Sequence, residues 1–225
     1  MPRSDGMKTV LSFSGGKDSV LALHRLAAEG NTPSELLVMY NRDAGRSWFH
    51  GIEEPLLREI AASLGIPLRV CPCGGEEYHL AMRVELERAR AEGADSAAFG
   101  DIDVSENRAW CEEQCAAAGL RAIFPLWGEA RVSLAREVVS IGYECVIKCV
   151  RNADLPPHFL GRAMSEDVIA EMQALGVDPS GEGGEFHTVV LNGPLFARPV
   201  AYENRGVLDL GPISVADIVA KKIDR

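Results

Sequence analysis

Along the first half of this chain, short apolar runs take turns with longer stretches whose apolar positions recur every three to four residues. The two periods predict strands alternating with helices. The strand-like runs are residues 9–13, 35–40, 68–70 and 96–99, with a shorter one at 121–124. Between them, residues 18–29, 51–64, 77–92 and 106–118 carry the helical pattern. Strands separated by helices pair in parallel through crossovers, so the expectation is a Rossmann-like α/β fold, a parallel sheet with helices on both faces. After Pro125-Leu126-Trp127-Gly128 the rhythm changes. A helix near 132–141 leads to a short strand at 145–148, a loop through Pro156-Pro157, a helix at 166–175 and a glycine-rich segment before a further strand from Val189. This predicts two domains, 1–128 and a smaller α+β domain at 129–225, without internal repeats or a long linker.

In a parallel sheet of this kind ligands bind beyond the carboxyl ends of the strands. The loop that follows the first strand there is Ser14-Gly15-Gly16-Lys17-Asp18-Ser19. Two glycines let the backbone fold tightly and bring its N–H groups to phosphate oxygens, and the positive end of the next helix adds to the attraction. Lys17 supplies a cation, and Ser14 and Ser19 supply short hydroxyl donors. The Walker spacing requires four residues between its first glycine and the Gly-Lys pair, and it is absent. The order of residues between strand and helix therefore reads as a pyrophosphate-binding loop, in an enzyme that splits ATP into AMP and pyrophosphate. The alternative is a plain Gly-Gly turn with a fortuitous lysine.

Composition narrows the setting. Apolar residues make up 47% and charged residues 25% of the 225, an ordinary globular balance. No apolar run approaches the roughly 20 residues needed to cross a bilayer, and Met1-Pro2-Arg3-Ser4-Asp5-Gly6 lacks a signal-peptide core, so a cytoplasmic protein without a membrane partner is expected. A formal net charge of −10 disfavours a nucleic-acid partner bound through its phosphates. Among six cysteines, Cys71-Pro72-Cys73 could carry sulfur or bind metal, whereas Cys111 with Cys115 and Cys145 with Cys149 lack the common zinc or redox spacing. Reduced, partly buried cysteines acting as small apolar residues are the favoured reading.

Two further segments carry chemistry. Gly100-Asp101-Ile102-Asp103 follows the fourth strand and opens onto the same end of the sheet as the phosphate loop, although a helix cap and a solvated turn would look alike. Gly181-Glu182-Gly183-Gly184-Glu185-Phe186-His187-Thr188 sets carboxylates, an imidazole and a hydroxyl in a flexible turn before a strand. Such a turn can bind a substrate, orient ammonia or help hold magnesium, and a plain hairpin loop with exposed acids has the same composition.

On these motifs the chain resembles the diphthine-ammonia ligase family of ATP pyrophosphatases, within the adenine-nucleotide alpha-hydrolase-like (HUP) superfamily. Ser14 to Ser19 is similar to the superfamily's phosphate loop (PP-loop). Gly100-Asp101-Ile102 with Asn107-Arg108 is similar to the family's second motif, which usually carries Gln-Arg at the latter pair, and Leu126-Trp127 to its Leu-Trp element. Residues 181–188 are similar to the family signature Gly-Glu-Gly-Gly-Glu-Tyr/Phe-Glu-Thr, with His187 in place of a glutamate.

The resemblance implies an ATP-dependent ligase that adenylates a substrate carboxylate, releases pyrophosphate and lets ammonia displace AMP to leave a carboxamide. Its named reaction amidates diphthine, a modified histidine on translation elongation factor 2, so the acceptor is a small molecule or a modified protein side chain. In this scheme Lys17, the loop amides and Ser19 stabilise the phosphates, and Asp18 binds Mg2+ directly or through water. Asp101 contributes to magnesium or ribose contacts, and Lys148 neutralises the substrate carboxylate or the adenylate. Backbone groups near Met39 and Tyr40 hold adenine. Glu182 and Glu185 orient acceptor or ammonia, and His187 selects the carboxylate or assists proton removal, with the 182–188 segment facing the phosphate loop across a domain cleft. Two rival functions remain at this point: a tRNA-modifying sulfur transferase using Cys71 and Cys73, and a non-catalytic ATP-binding regulator. A homo-oligomer stays open.

Overall fold

A computed structural model describes residues 7–221 of the chain. The opening hexapeptide, on which the signal-peptide reading rests, lies outside them. The chain divides into two compact units. The first comprises the chain up to Ser14, Asp18–Gly45 and Ile66–Gly128; the second comprises Gly15–Lys17, Arg46–Gly65 and the chain from Glu129 onward. The stretch expected as a first domain, 1–128, thus lends two internal segments to the second unit.

The first unit is a parallel sheet flanked by helices. Its strands are β1 (Thr9–Ser12), β2 (Glu35–Asn41), β4 (Leu68–Cys73), β5 (Ser96–Ala98) and β6 (Arg121–Ile123). They run side by side in the order β4-β2-β1-β5-β6, every pair parallel. Helices α1 (Lys17–Ala28), α3 (Tyr78–Ala91) and α4 (Ser105–Ala117) connect them. Near-continuous burial of β1 and β2 is what a sheet covered on both sides requires, and Val20, Leu21, Leu23 and Leu26 of α1 are buried with them. Each such leucine withdrawn from water contributes roughly 1.5–3 kcal/mol before chain entropy is counted. Because β1 and β5 are neighbours, the loops after their carboxyl ends, 14–19 and 100–104, open on the same end of the sheet.

The second unit is built on a four-stranded antiparallel sheet in the order β8-β7-β10-β9. The strands are β7 (Glu144–Arg151), β8 (Phe186–Asn192), β9 (Tyr202–Asp209) and β10 (Ile213–Ala220). Helices α2 (Glu54–Leu64), α5 (Arg131–Ile141) and α6 (Glu166–Ala174), and a two-residue strand β3 (Arg46–Ser47), complete the unit. The Ser165 hydroxyl caps α6 by accepting from Val168 N–H at 3.2 Å. Helix α2 packs on β10, and the Ala197 amide donates to the Ser63 carbonyl at 2.8 Å. No helix among the described residues is long and apolar enough to cross a membrane.

Candidate active site

The phosphate loop sits against an open strand edge. Strand β8 is an outer strand of the second sheet, and its free edge carries backbone groups that need partners. Loop residues of the same unit supply them. Val190 N–H donates to the Gly15 carbonyl at 2.9 Å, and the Lys17 amide donates to the Thr188 hydroxyl at 3.1 Å. Lys17 is only 3% exposed, with its ammonium 6.0 Å from the Phe186 ring centroid. Phe186 and Thr188 are the sixth and last residues of the 181–188 segment. The segment expected to face the loop across a cleft is therefore hydrogen-bonded to it, within one unit.

His50 completes this arrangement, and the sequence reading missed it. Its Nδ1 lies 2.7 Å from the Thr188 carbonyl, which can only accept, so Nδ1 carries the proton and Nε2 presents a lone pair in the neutral ring. Burial lowers the imidazole pKa to about 4; the Thr188 carbonyl opposes that fall and the Lys17 charge adds to it. The ring lies directly over Gly16: a Cβ there would stand 2.2 Å from His50 Cε1, so only glycine fits. The His187 ring is 4.8 Å from that of His50 and 6.5 Å from that of Phe49. Phe49 has φ of 66°, a conformation uncommon outside glycine, and is 69% exposed. An aromatic-rich run, Trp48-Phe49-His50, just ahead of a helix was the signal available. It falls between the expected elements, just before the helix expected at 51–64, whereas α2 begins at Glu54, with a proline in its first turn.

Within the signature turn the chain doubles back tightly. A Cβ on Gly183 would stand 2.7 Å from Glu185 Oε1. Arg151 Nη1 donates to the Gly183 carbonyl at 3.1 Å, and its amide donates to the Glu185 carbonyl at 2.8 Å. Glu185 Oε2 is buried and has no hydrogen-bond partner among the described residues. Glu182 is half-buried in the same turn.

The first unit holds the remaining loop residues. Ser14 Oγ donates to Ser19 Oγ at 3.2 Å, across the loop. Gly100 lies so close to the start of α1 that a Cβ there would meet the Asp18 carbonyl carbon and the Ser19 nitrogen at 3.0 Å. The Asp101 carboxyl is raised by burial and, less strongly, by the Asp18 charge, while its own amide and the Asn107 side chain hold it down by hydrogen bonding. The 100–102 and 107–108 parts of the second motif thus meet through Asp101 and Asn107. Arg108 stacks on Trp127 and Phe124, 4.7 and 5.1 Å from their centroids, and its Nε donates to Glu112 at 2.8 Å. Met39 is buried in β2, and the Tyr40 hydroxyl donates to the Gly45 carbonyl.

Lys148 lies on β7 at the register irregularity opposite Thr188 and His187 of β8. It is 3% exposed on β7, and its ammonium donates to the Ala216 carbonyl of β10 at 2.7 Å. Burial and the Arg46 charge lower its pKa, against Asp217 and Glu53. The six cysteines are all buried, and none is in a disulfide. Burial first, and then Glu85, pushes the Cys71 thiol up to about 11, and burial raises Cys115 to about 12, the reverse of what a nucleophilic thiol needs. No cluster of three or more His, Cys, Asp or Glu able to hold a metal occurs among the described residues.

Comparison with known proteins matches residues 7–122 to the diphthamide synthase N-terminal domain and residues 130–205 to the diphthamide synthase C-terminal domain. A diphthine–ammonia ligase from Danio rerio is 26% identical, over 86% of this chain and 86% of that protein. One from Homo sapiens is 27% identical, over 90% and 85%. One from Schizosaccharomyces pombe is 23% identical over 90% of this chain, which spans 37% of its length. Among solved structures, a predicted subunit of tRNA methyltransferase from Methanocaldococcus jannaschii aligns with 84% of this chain and 98% of its own, at a TM-score of 0.46 and 20% identity. With its N-terminal match alone spanning more than half of the residues and the C-terminal match following in order, the chain belongs to the diphthamide synthase family.

Proposed function

We propose that this chain is an ATP-dependent ligase that converts a carboxylate and ammonia into a carboxamide, with the diphthine carboxylate as the acceptor class its relatives' name points to. The observation that carries the reading is the pair of hydrogen bonds from Val190 to Gly15 and from Lys17 to Thr188. They join the phosphate loop to the strand that bears the family signature. A carboxylate is a poor acceptor for ammonia until one of its oxygens belongs to a good leaving group. Attack of that oxygen on the α-phosphorus of ATP forms an acyl-adenylate and expels pyrophosphate; ammonia then adds to the acyl carbon, AMP leaves, and one proton is released. The loop amides, Lys17 and Ser19 offset charge on the phosphates during the first step.

The chain's donors also fit a Mg2+ ion. Magnesium is usually held by one or two carboxylates with substrate phosphate oxygens and water completing its shell. Asp18 and Asp101 would be such a pair, the Asp18 charge being felt at the Asp101 carboxyl. A bound ion would neutralise phosphate charge. Gly100 brings the Asp101 loop to the start of α1, and Met39 and Tyr40 remain the proposed adenine neighbours. In the acceptor half, Glu182 and Glu185 would orient ammonia or acceptor, and His187 would tune which carboxylate fits. Lys148 donates one of its three ammonium N–H groups to a backbone carbonyl, and the remaining donors would be the ones to neutralise the substrate carboxylate or the adenylate. Six buried cysteines outside any disulfide suit the reducing cytoplasm, where we place the reaction.

The test is a screen of carboxylates, diphthine-bearing elongation factor 2 included, with ATP, Mg2+ and ammonium. AMP and pyrophosphate in equal amounts, with a new carboxamide, are expected. Nucleotide binding without turnover on any acceptor would favour a regulator, and ADP with phosphate would overturn the ligase reading.

A further inference from the structure

Between the phosphate loop and the signature strand lies a residue to which neither motif assigns a role. His50 comes from the 46–65 segment, its Nδ1 is held by the Thr188 carbonyl at 2.7 Å, and its ring edge fills the space where Gly16 lacks a side chain. Thr188 therefore serves two partners from one residue. Its hydroxyl accepts the Lys17 amide, and its carbonyl accepts the His50 N–H. Loop, strand and imidazole form a closed set in which moving any one displaces the other two.

We propose that His50 is a positioning residue for the phosphate loop, acting with Thr188 to fix the Gly16–Lys17 backbone in the shape that receives the nucleotide phosphates. This deepens the ligase reading and rests on it for the identity of the ligand. The physical argument has two parts. A loop rich in glycine has many accessible conformations, and ordering it on binding costs affinity unless packing has ordered it beforehand. The imidazole supplies that packing while presenting no second proton: with Nδ1–H committed to Thr188, the neutral ring adds no positive charge beside Lys17. Burial, which holds the imidazole in its neutral form, is consistent with that role.

The consequence is a coupling that simple structural support would not produce. The three atoms that a Cβ at Gly16 would meet first all belong to the His50 ring, so Gly16→Ala and His50→Ala should not act independently. Binding of α,β-methylene-ATP with Mg2+ to the full chain, followed by calorimetry, measures this. Gly16→Ala alone is expected to weaken binding on the order of 10- to 100-fold, as overpacking does. The double variant should bind no worse than Gly16→Ala. Losses that simply multiply would overturn the proposal.

A second pair separates the hydrogen bond from the packing. His50→Phe keeps a ring but loses the donor to Thr188, and about tenfold weaker binding is expected from an unsatisfied buried carbonyl. His50→Asn keeps an N–H donor near Nδ1 and should recover most of that loss. In turnover the effect should fall on KM for ATP, with kcat at saturating ATP changed less. Wild-type-like binding by both variants would overturn the proposal. If the wild-type chain binds no nucleotide at all, the ligase reading fails instead, and the loop effect is still read by hydrogen exchange. The Lys17 amide should exchange faster in His50→Phe than in wild type, and equal protection would refute the positioning role.

Discussion

Lys17 illustrates how a single residue can carry both structural and chemical demands. A lysine left only 3% exposed loses most of its hydration, a cost that anionic phosphate oxygens would offset when they bind. If its charge acts mainly in the transition state, Lys17→Ala should slow pyrophosphate release by on the order of 10²- to 10³-fold. An unchanged rate in a folded variant would remove Lys17 from the chemistry. Lys17→Arg should not rescue it, since a planar fork does not replace a compact ammonium. Asp18→Asn and Asp101→Asn should each raise the Mg2+ concentration needed for half-maximal turnover, and a magnesium response identical to wild type would count against the pair. His50 gives a stability prediction with a defined window. Its folded pKa, about 4, lies below the ordinary 6.5, so between these values the unfolded chain binds more protons than the folded one. Its contribution is therefore complete above pH 6.5 and is lost as pH falls toward 4. The melting temperature of wild type should drop more steeply between pH 7 and pH 5 than that of His50→Asn. Equal slopes would show that folding leaves the His50 pKa unshifted.

At the scale of elements, the approach of the β5–α4 loop to the start of α1 decides how the nucleotide end of the sheet is built. The atoms a Gly100 Cβ would meet are backbone, at 3.0 Å, so relief requires the helix start itself to shift. Gly100→Ala should destabilise the fold by about 1–3 kcal/mol and weaken ATP binding together. A variant with normal melting and normal affinity would show that the approach is slack. Elements governed by local pattern were legible in the sequence: β1, β2, β5, α1 and α4 fall within a few residues of the expected runs. The last hairpin was not. Strand β9, Tyr-Glu-Asn-Arg-Gly-Val-Leu-Asp, is exposed along nearly its whole length, so no buried face imposes an alternation that could be read. Packing of α2 onto β10 was equally hidden, because amphipathic spacing shows that a helix buries a face without naming what covers it. The phosphate loop and the 181–188 turn were recognisable because glycines and charged groups stand in a fixed order. His50 was not, because a lone histidine beside two aromatic residues carries no spacing rule.

For the whole molecule, the decisive question is which bond of ATP breaks, because it separates the ligase reading from every function that merely closes over a nucleotide. The loop lacks the Walker spacing, and its Gly15-Gly16-Lys17 core is tied to β8 rather than wrapped around a terminal phosphate by its own length. Attack of a carboxylate oxygen at the α-phosphorus then predicts AMP and pyrophosphate, and it predicts where the atoms travel. One oxygen of the substrate carboxylate becomes the bridging oxygen of the acyl-adenylate, and when ammonia adds to the acyl carbon that oxygen leaves with AMP. A carboxylate labelled with oxygen-18 at both positions should therefore yield AMP carrying one labelled oxygen and a carboxamide retaining the other, read by mass spectrometry of both products. Replacing Glu185 with Gln should lower amide yield more than it lowers nucleotide affinity, because its buried Oε2, without a hydrogen-bond partner among the described residues, is the group proposed to orient the acceptor or ammonia. Label remaining wholly in the carboxamide and pyrophosphate, with none in AMP during productive turnover, would exclude the adenylate. The activated intermediate would then have to be sought at a different phosphorus.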